Sequence, residues 1–337
     1  MTVVVTGAAG HVGANLVRAL ISQHRPTRAL VHVDRQAVEG LDVEVAEGDV
    51  RNPESLFKAF DGADVVYHLA ADIPLLKEKW PLLESVNIAG TRNVVEACLS
   101  SGVRRLVHFS SIHAISQEPM NAEVNESCLL AESRHDQLYG RSKAAGEREV
   151  YRGIEMGLDA IVVSPTAMIG PHDYKPSHFG RALLALAQGK LPALVAGGFD
   201  WVDVRDVVAG AMRAEERAPS GAKYLLSGHW ISLRDLAGQV EEITGIPAPG
   251  FLCPMWLARI GAPIVTTFGR LVGRRPLYTS VSMRALYSNR NISHAKATSE
   301  LDYHPRPFRE TLSGALQWFE ETGRLACLPR SPLVGFL

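Results

Sequence analysis

The sequence lacks several features that would each have pointed to a function. Its four cysteines (Cys98, Cys128, Cys253 and Cys327) lie far apart, with no C-x-x-C pair among them. That excludes a disulfide framework or a zinc ribbon and leaves free thiols suited to a reducing, cytoplasmic compartment. The 12 histidines are scattered, with no H-E-x-x-H or similar ligand spacing, so no metal site is expected. No apolar run approaches the ~20 residues of a membrane span. The stretch from Trp256 to Val272, for example, is broken by Arg259, Pro263 and Arg270. A β-branched run, Thr2-Val3-Val4-Val5-Thr6, directly follows Met1, so no basic leader and no signal peptide is expected. Net charge is nearly absent: 35 Lys+Arg against 36 Asp+Glu leave −1, which argues against an electrostatic grip on nucleic acid. With 46% hydrophobic residues and no short repeat, the 337 residues are neither disordered, collagen-like nor coiled coil. They suffice for one large domain or two moderate ones.

What is present is an alternation of short apolar strands and helical patterns. Val3 to Val5, Arg28 to Val33, Val43 to Val45, Asp64 to His68, Arg105 to Phe109 and Leu158 to Val163 read as strands. Val12 to Ser22, Pro53 to Phe60, Val86 to Ser100 and Tyr139 to Met156 read as helices between them. Such alternation predicts an α/β fold, a doubly wound parallel sheet with helices on both faces. Beyond Gly170 prolines interrupt the pattern and helices come in irregular groups. The expectation is a dinucleotide-binding domain over 1–170 and a smaller, mostly helical substrate lobe over 171–330, with 196–228, including Trp201 to Val204, partly returning to the sheet.

Between the first strand and first helix stands Thr6-Gly7-Ala8-Ala9-Gly10-His11-Val12-Gly13. Glycines at 7, 10 and 13 permit a tight turn and close backbone approach, leaving the helix N-terminus facing a pyrophosphate. A Gly-rich turn alone is weak evidence; at the start of a βαβ series it favours dinucleotide binding. Further along, Tyr139 and Lys143 are four apart on one helix face, where an ammonium beside a phenol would bring the phenol pKa down toward neutrality. Read alone, such a pair is usually a solvated helix face. Ser111, at the end of a strand where ligands of open parallel sheets bind, promotes it to a catalytic candidate.

The G-x-x-G-x-x-G spacing resembles the extended branch of the short-chain dehydrogenase/reductase superfamily, a Rossmann fold. Gly48-Asp49-Val50, His68-Leu69-Ala70-Ala71, Asn87, Ser110-Ser111 and Tyr139-Gly140-Arg141-Ser142-Lys143 follow in the family's order through about residue 210. The resemblance implies hydride transfer between a nicotinamide and a carbinol or carbonyl carbon. Ser111 would bond the substrate oxygen, with Ser110 as the fallback in the doublet. Tyr139 would pass the proton, and Lys143 would also hold the nicotinamide ribose. It places Gly7, Ala9, Gly10, His11, Val12 and Gly13 at the pyrophosphate, Asp49 and Val50 at the adenine, and Leu69, Ala70, Ala71 and Asn87 along the cofactor. Pro165 and Thr166 would flank the nicotinamide amide, and Ile112, His113 and Met168 would line the substrate pocket. It also implies a homodimer through the long helices.

The cofactor is NAD or NADP. If the second strand ends at Val33, Asp34 caps it and favours NAD. An ungapped alignment instead puts Val31 and His32 at the discriminating positions, with Arg35 close enough for a phosphate. The balance leans to NAD. Among family chemistries, dehydration is disfavoured because no carboxylate follows Ser111. Nucleotide-sugar 4-epimerisation is weakened because Gly197-Gly198-Phe199-Asp200 brings no Arg where sugar enzymes have one. A reductase or dehydrogenase for a mainly apolar small molecule, of the dihydroflavonol reductase or 3β-hydroxysteroid dehydrogenase kind, is expected. The other readings are a sugar epimerase and a non-catalytic dinucleotide-binding regulator.

The neutral average also conceals an imbalance. Residues 243–299 contain no Asp or Glu but seven cations: Arg259, Arg270, Arg274, Arg275, Arg284, Arg290 and Lys296. The rest of the chain therefore carries −8. The plain reading is a basic outer face. The sharper one is a lid for an amphipathic substrate or a contact with an anionic membrane surface.

Overall fold

The computed structural model describes residues 1–74, 79–120, 122–258, 261, 283, 286 and 289–326. Five of the seven cations of the acid-free stretch and Cys327 lie outside them. The chain opens with β1 (Thr2–Thr6), β2 (Thr27–Val31), β3 (Glu44–Glu47), β4 (Ala63–His68), β5 (Arg105–Phe109) and β6 (Ala160–Pro165). It then leaves for β7 (Ala167–Ile169), β8 (Leu194–Val195) and β9 (Gly198–Asp203), and returns with β10 (Lys223–Leu226). Strands β10-β6-β5-β4-β1-β2-β3 form one seven-stranded sheet, parallel at every pairing. The sequence reverses direction between β1 and β4, which opens a crevice beyond their carboxyl ends.

The central strands are buried on both faces, which their Val, Ile and Ala content suits. On one face α1 (His11–Ser22) lays Leu16, Val17 and Leu20 on Val3, Val5, Val65 and Tyr67. Helix α6 (Val204–Arg217) covers the same side. On the other face α2 (Pro53–Phe60), α4 (Gly90–Ser100) and α5 (Leu138–Glu155) bury Leu56, Phe60, Val94, Cys98 and Val150 against Val4, Val66, Leu106 and Val162. Asn52 caps α2 by accepting from the Glu54 amide, with Pro53 in the first turn where its missing N–H costs nothing. The helix expected from Val86 begins earlier, with α3 (Trp80–Leu83) and one wider π turn, Glu84–Ala89, leading into α4.

The second lobe has its own core around Phe199, Trp201, Leu236, Phe308, Leu316 and Phe319. Two small sheets stand among its helices: β7 and β11 (His229–Ser232) flank β9, and β12 (Leu252–Cys253) pairs with β8. The expected return of Trp201 to Val204 is therefore corrected. Phe199 and Trp201 stay with the second core, where their rings meet Phe179 edge-on, and Lys223–Leu226 is the segment that joins the main sheet.

Candidate active site

The glycine loop is shaped by what lies behind it. Gly7 has φ +67°, and a Cβ there would sit 2.8 Å from the Ala70 amide nitrogen. A Cβ on Gly13 would overlap the Gly7 carbonyl oxygen. Gly10 caps α1 with no side chain, so the first-turn amides of the helix are not capped by one. This cradle fits a pyrophosphate. Thr6, which motif reading passed over, fastens the neighbouring loop. Its hydroxyl accepts from the Leu69 and Ala70 amides (3.1 and 3.2 Å) and pairs with His68 Nδ1 at 2.8 Å. His68 Nε2 meets Thr91 Oγ1 at 3.1 Å. Burial, then the Lys143 charge, drives His68 down to about 3, so it is neutral. His11 turns its ring to the Pro171 carbonyl at 3.0 Å, which ties the loop to the start of the second lobe.

At the adenosine end β2 stops at Val31, because its pairing with β3 stops there. Asp34 therefore does not cap the strand; it lies in the loop past the bend at His32 and Val33. The Gln36 amide, then Lys175 (Nζ 3.2 Å away), holds its carboxyl below the usual range. Arg35 is ion-paired with Glu47. His32 Nε2 lies 3.3 Å from Asp49, whose carboxyl is held low mainly by Arg51. Val50 is buried against Gly90.

Ser111 follows β5 and opens the short turn Ile112–Ala114, its hydroxyl accepting from the His113 amide at 3.2 Å. The same hydroxyl faces the Tyr139 phenol and favours its ionised form. Its neighbour Ser110 instead donates to Glu147 at 2.5 Å. Lys143 is buried, with Nζ donating to the Phe109 carbonyl at 2.7 Å. Burial lowers it to about 8, against the raising field of Glu147. Its ammonium does not depress the phenol as spacing suggested. Burial pushes Tyr139 up to about 12, the Ser111 hydroxyl pulling down and the Asp72 charge pushing up.

Asn87 is buried and does structural work that also positions the site. Its amide donates to the Asp72 carbonyl (3.0 Å) and to Ser142 Oγ (2.9 Å), and its oxygen accepts from the Asp72 amide at 2.8 Å. Ser142 in turn donates to the Tyr139 carbonyl at 2.7 Å. Gly140 lets α5 ride against the His113 carbonyl, and the His113 ring meets Tyr139 edge-on at 6.2 Å. Burial holds His113 at about 4, hence neutral. Thr166 donates to Asp200 at 2.7 Å; Ile112 is buried and Met168 half-buried. Sequence reading missed Thr6, Asp72, Thr91, Ser142 and Glu147. For Glu147 one signal existed, its place four residues beyond Lys143 on the same helix face.

Among the described residues, no group of three or more His, Cys, Asp or Glu side chains is placed to hold a metal, and no helix is long and apolar enough to cross a membrane. Residues 3–226 match the NAD dependent epimerase/dehydratase family. The chain is 35% identical to sterol demethylase protein B of Methylococcus capsulatus, over 96% of this chain and 100% of that protein. Its fold superimposes on the crystal structure of gox2253 with a TM-score of 0.83 and 34% identity, covering 96% and 99% of the two chains. A nucleoside-diphosphate-sugar epimerase from Pseudomonas aeruginosa shares the fold at a TM-score of 0.78 and 24% identity, covering 96% and 99%.

Proposed function

The chain belongs to the NAD dependent epimerase/dehydratase family, an enzyme family, and from that premise we propose how it works as an NAD(P)-dependent oxidoreductase. The substrate is a secondary alcohol or ketone within a mainly apolar small molecule. The observation that carries this reading is the approach of Ser111 to the Tyr139 phenol near buried Lys143, at the carboxyl ends of the strands that also bear the glycine loop. When bound, the nicotinamide supplies or accepts hydride at the substrate carbon. Ser111 hydrogen-bonds the substrate oxygen. Tyr139, a neutral phenol at physiological pH, donates its proton to that oxygen in the reductive direction and takes it back in the oxidative one. Lys143 as ammonium holds the nicotinamide ribose. Ile112, His113 and Met168 line the substrate side, and Pro165 and Thr166 flank the nicotinamide.

NAD is the preferred cofactor. Asp34 brings a carboxylate that repels a 2′-phosphate, and Arg35, the group that would greet that phosphate, is spent on Glu47. The apolar substrate is supported by the name of the sterol demethylase relative and by Phe199. Where sugar enzymes carry Arg, this ring is packed at 4.9 Å from Phe179 and 5.3 Å from Trp201. Of the acid-free stretch, Arg290 stacks on Trp230 at 4.4 Å and Lys296 donates to the Lys223 carbonyl at 3.1 Å. Both cations are engaged within the protein, which supports a basic structural face over a membrane contact. A homodimer through the long helices and a cytoplasmic location complete the proposal; the described cysteines, Cys98, Cys128 and Cys253, are free thiols.

The test is a panel of apolar ketones and alcohols and of nucleotide sugars, each with NADH or NAD and with the phosphorylated cofactors. Net change in reduced-nicotinamide absorbance with an apolar ketone or alcohol, stronger with the NAD pair, is expected. Interconversion of a nucleotide sugar without net turnover would overturn the reading in favour of an epimerase.

A further inference from the structure

Behind the catalytic residues lies a buried charge cluster that the chemistry above does not use. Glu147 stands one helical turn beyond Lys143, its side chain 0% exposed. One carboxylate oxygen accepts from Ser110 Oγ at 2.5 Å, the other from Lys223 Nζ at 2.7 Å. These contacts fasten α5 to the segment after β5 and to β10, the sheet's edge strand. The other titratable groups facing this space are His68 of β4 and His108 of β5, whose rings are 5.2 Å apart, and Tyr151 one turn further along α5. Both imidazoles are held neutral, chiefly by burial, and neither nitrogen of His108 has a hydrogen-bond partner. Lys223 is ion-paired with this carboxylate, while Lys143, one turn earlier on α5 and donating to the Phe109 carbonyl, feels its charge across a low-dielectric space.

We propose that Glu147 is a positioning residue for cofactor binding: its buried carboxylate, steadied by Ser110 and Lys223, keeps the Lys143 ammonium charged where it meets the cofactor ribose. The proposal rests on the role given to Lys143 above. The two adjacent serines then divide the labour, Ser111 toward substrate and Ser110 toward the counter-charge. The sign follows from the opposing effects on Lys143: burial drives its proton off, and the Glu147 charge retains it. Removing that charge lets the proton leave at lower pH.

The experiment is the pH dependence of NADH binding by the full chain, followed by fluorescence from about pH 6 to about pH 10. The natural protein is expected to lose affinity as pH rises through about 8. Glu147→Gln preserves an acceptor for Ser110 and is expected to lower that midpoint by about one pH unit. Because it leaves Lys223 buried without a counter-charge, the double variant E147Q/K223M is measured beside it. That variant is expected to regain thermal stability while keeping the lowered midpoint. A midpoint unmoved in both variants overturns the proposal, as does one that recovers together with stability, since that marks a merely structural role. Tyr139→Phe separates the two readings. Lost turnover there with unmoved midpoints defeats only the role of Glu147, whereas retained turnover defeats the catalytic assignment itself.

Discussion

The two ends of the main sheet bury ionisable groups in opposite ways. Toward the amino ends of the strands, charge answers charge. Glu215 accepts from Arg25 at 2.6 Å, from Arg104 at 3.3 Å and from the Tyr67 hydroxyl at 2.8 Å. Arg104 also reaches Asp64 at 3.0 Å, and Arg105 reaches Asp159 at 2.7 Å. At the carboxyl ends, Ser111, Tyr139, Asn87 and Thr6 are held by neutral hydrogen bonds and backbone groups, and the Lys143 ammonium rests on a carbonyl. The first end is closed by these ion pairs. The second buries a phenol and an ammonium whose proton affinities burial has shifted, which suits the hydride-transfer site proposed above.

That contrast can be broken from either side. Gly13→Val places a side chain on the Gly7 carbonyl and is expected to abolish NADH binding, read by fluorescence titration, in protein whose circular dichroism confirms folding. Residual affinity near the natural value would move the cofactor elsewhere. Ser111→Ala should cost turnover about 10²-fold, whereas Ser110→Ala should stay within about threefold, because only Ser111 meets the phenol. Equal losses would erase the distinction between the two serines. At the opposite end, Glu215→Ala should lower unfolding stability by about 3 kcal/mol in denaturant titrations, near the low end for a buried pair because Arg25 and Arg104 keep some contact with water. Turnover per folded molecule should not change. Arg104→Ala is the smallest step: its side chain is 49% exposed, so the loss should be no more than about 1 kcal/mol.

The part of the molecule that sequence alone made legible is local. Val3 to Gly13 contains a strand, a turn with glycines at fixed offsets and a helix start, and each is written in neighbouring residues. Tyr139 and Lys143 share a face by helical period alone. What was not legible depends on register between distant segments. The bond from Thr6 to His68 spans 62 residues and that from Glu147 to Lys223 spans 76. The end of β2 was misplaced because Val33 looks like a strand residue, yet β3 offers it no partner and it is 82% exposed. Trp201 was given to the wrong sheet because apolar alternation states that a strand exists without stating which core its rings will fill. The Tyr139 phenol departs from the expectation for a related reason. Spacing shows that Lys143 is near, but not that its ammonium is turned to the Phe109 carbonyl while burial acts on the phenol.

The central claim is that Tyr139 moves the proton in a net hydride transfer. Its most direct test is the rate of NADH oxidation by Tyr139→Phe with an apolar ketone turned over by the natural protein, alongside NADH affinity measured by fluorescence. A fall of about 10²- to 10⁴-fold in turnover with affinity retained is predicted. Turnover within a few-fold of the natural protein would contradict it.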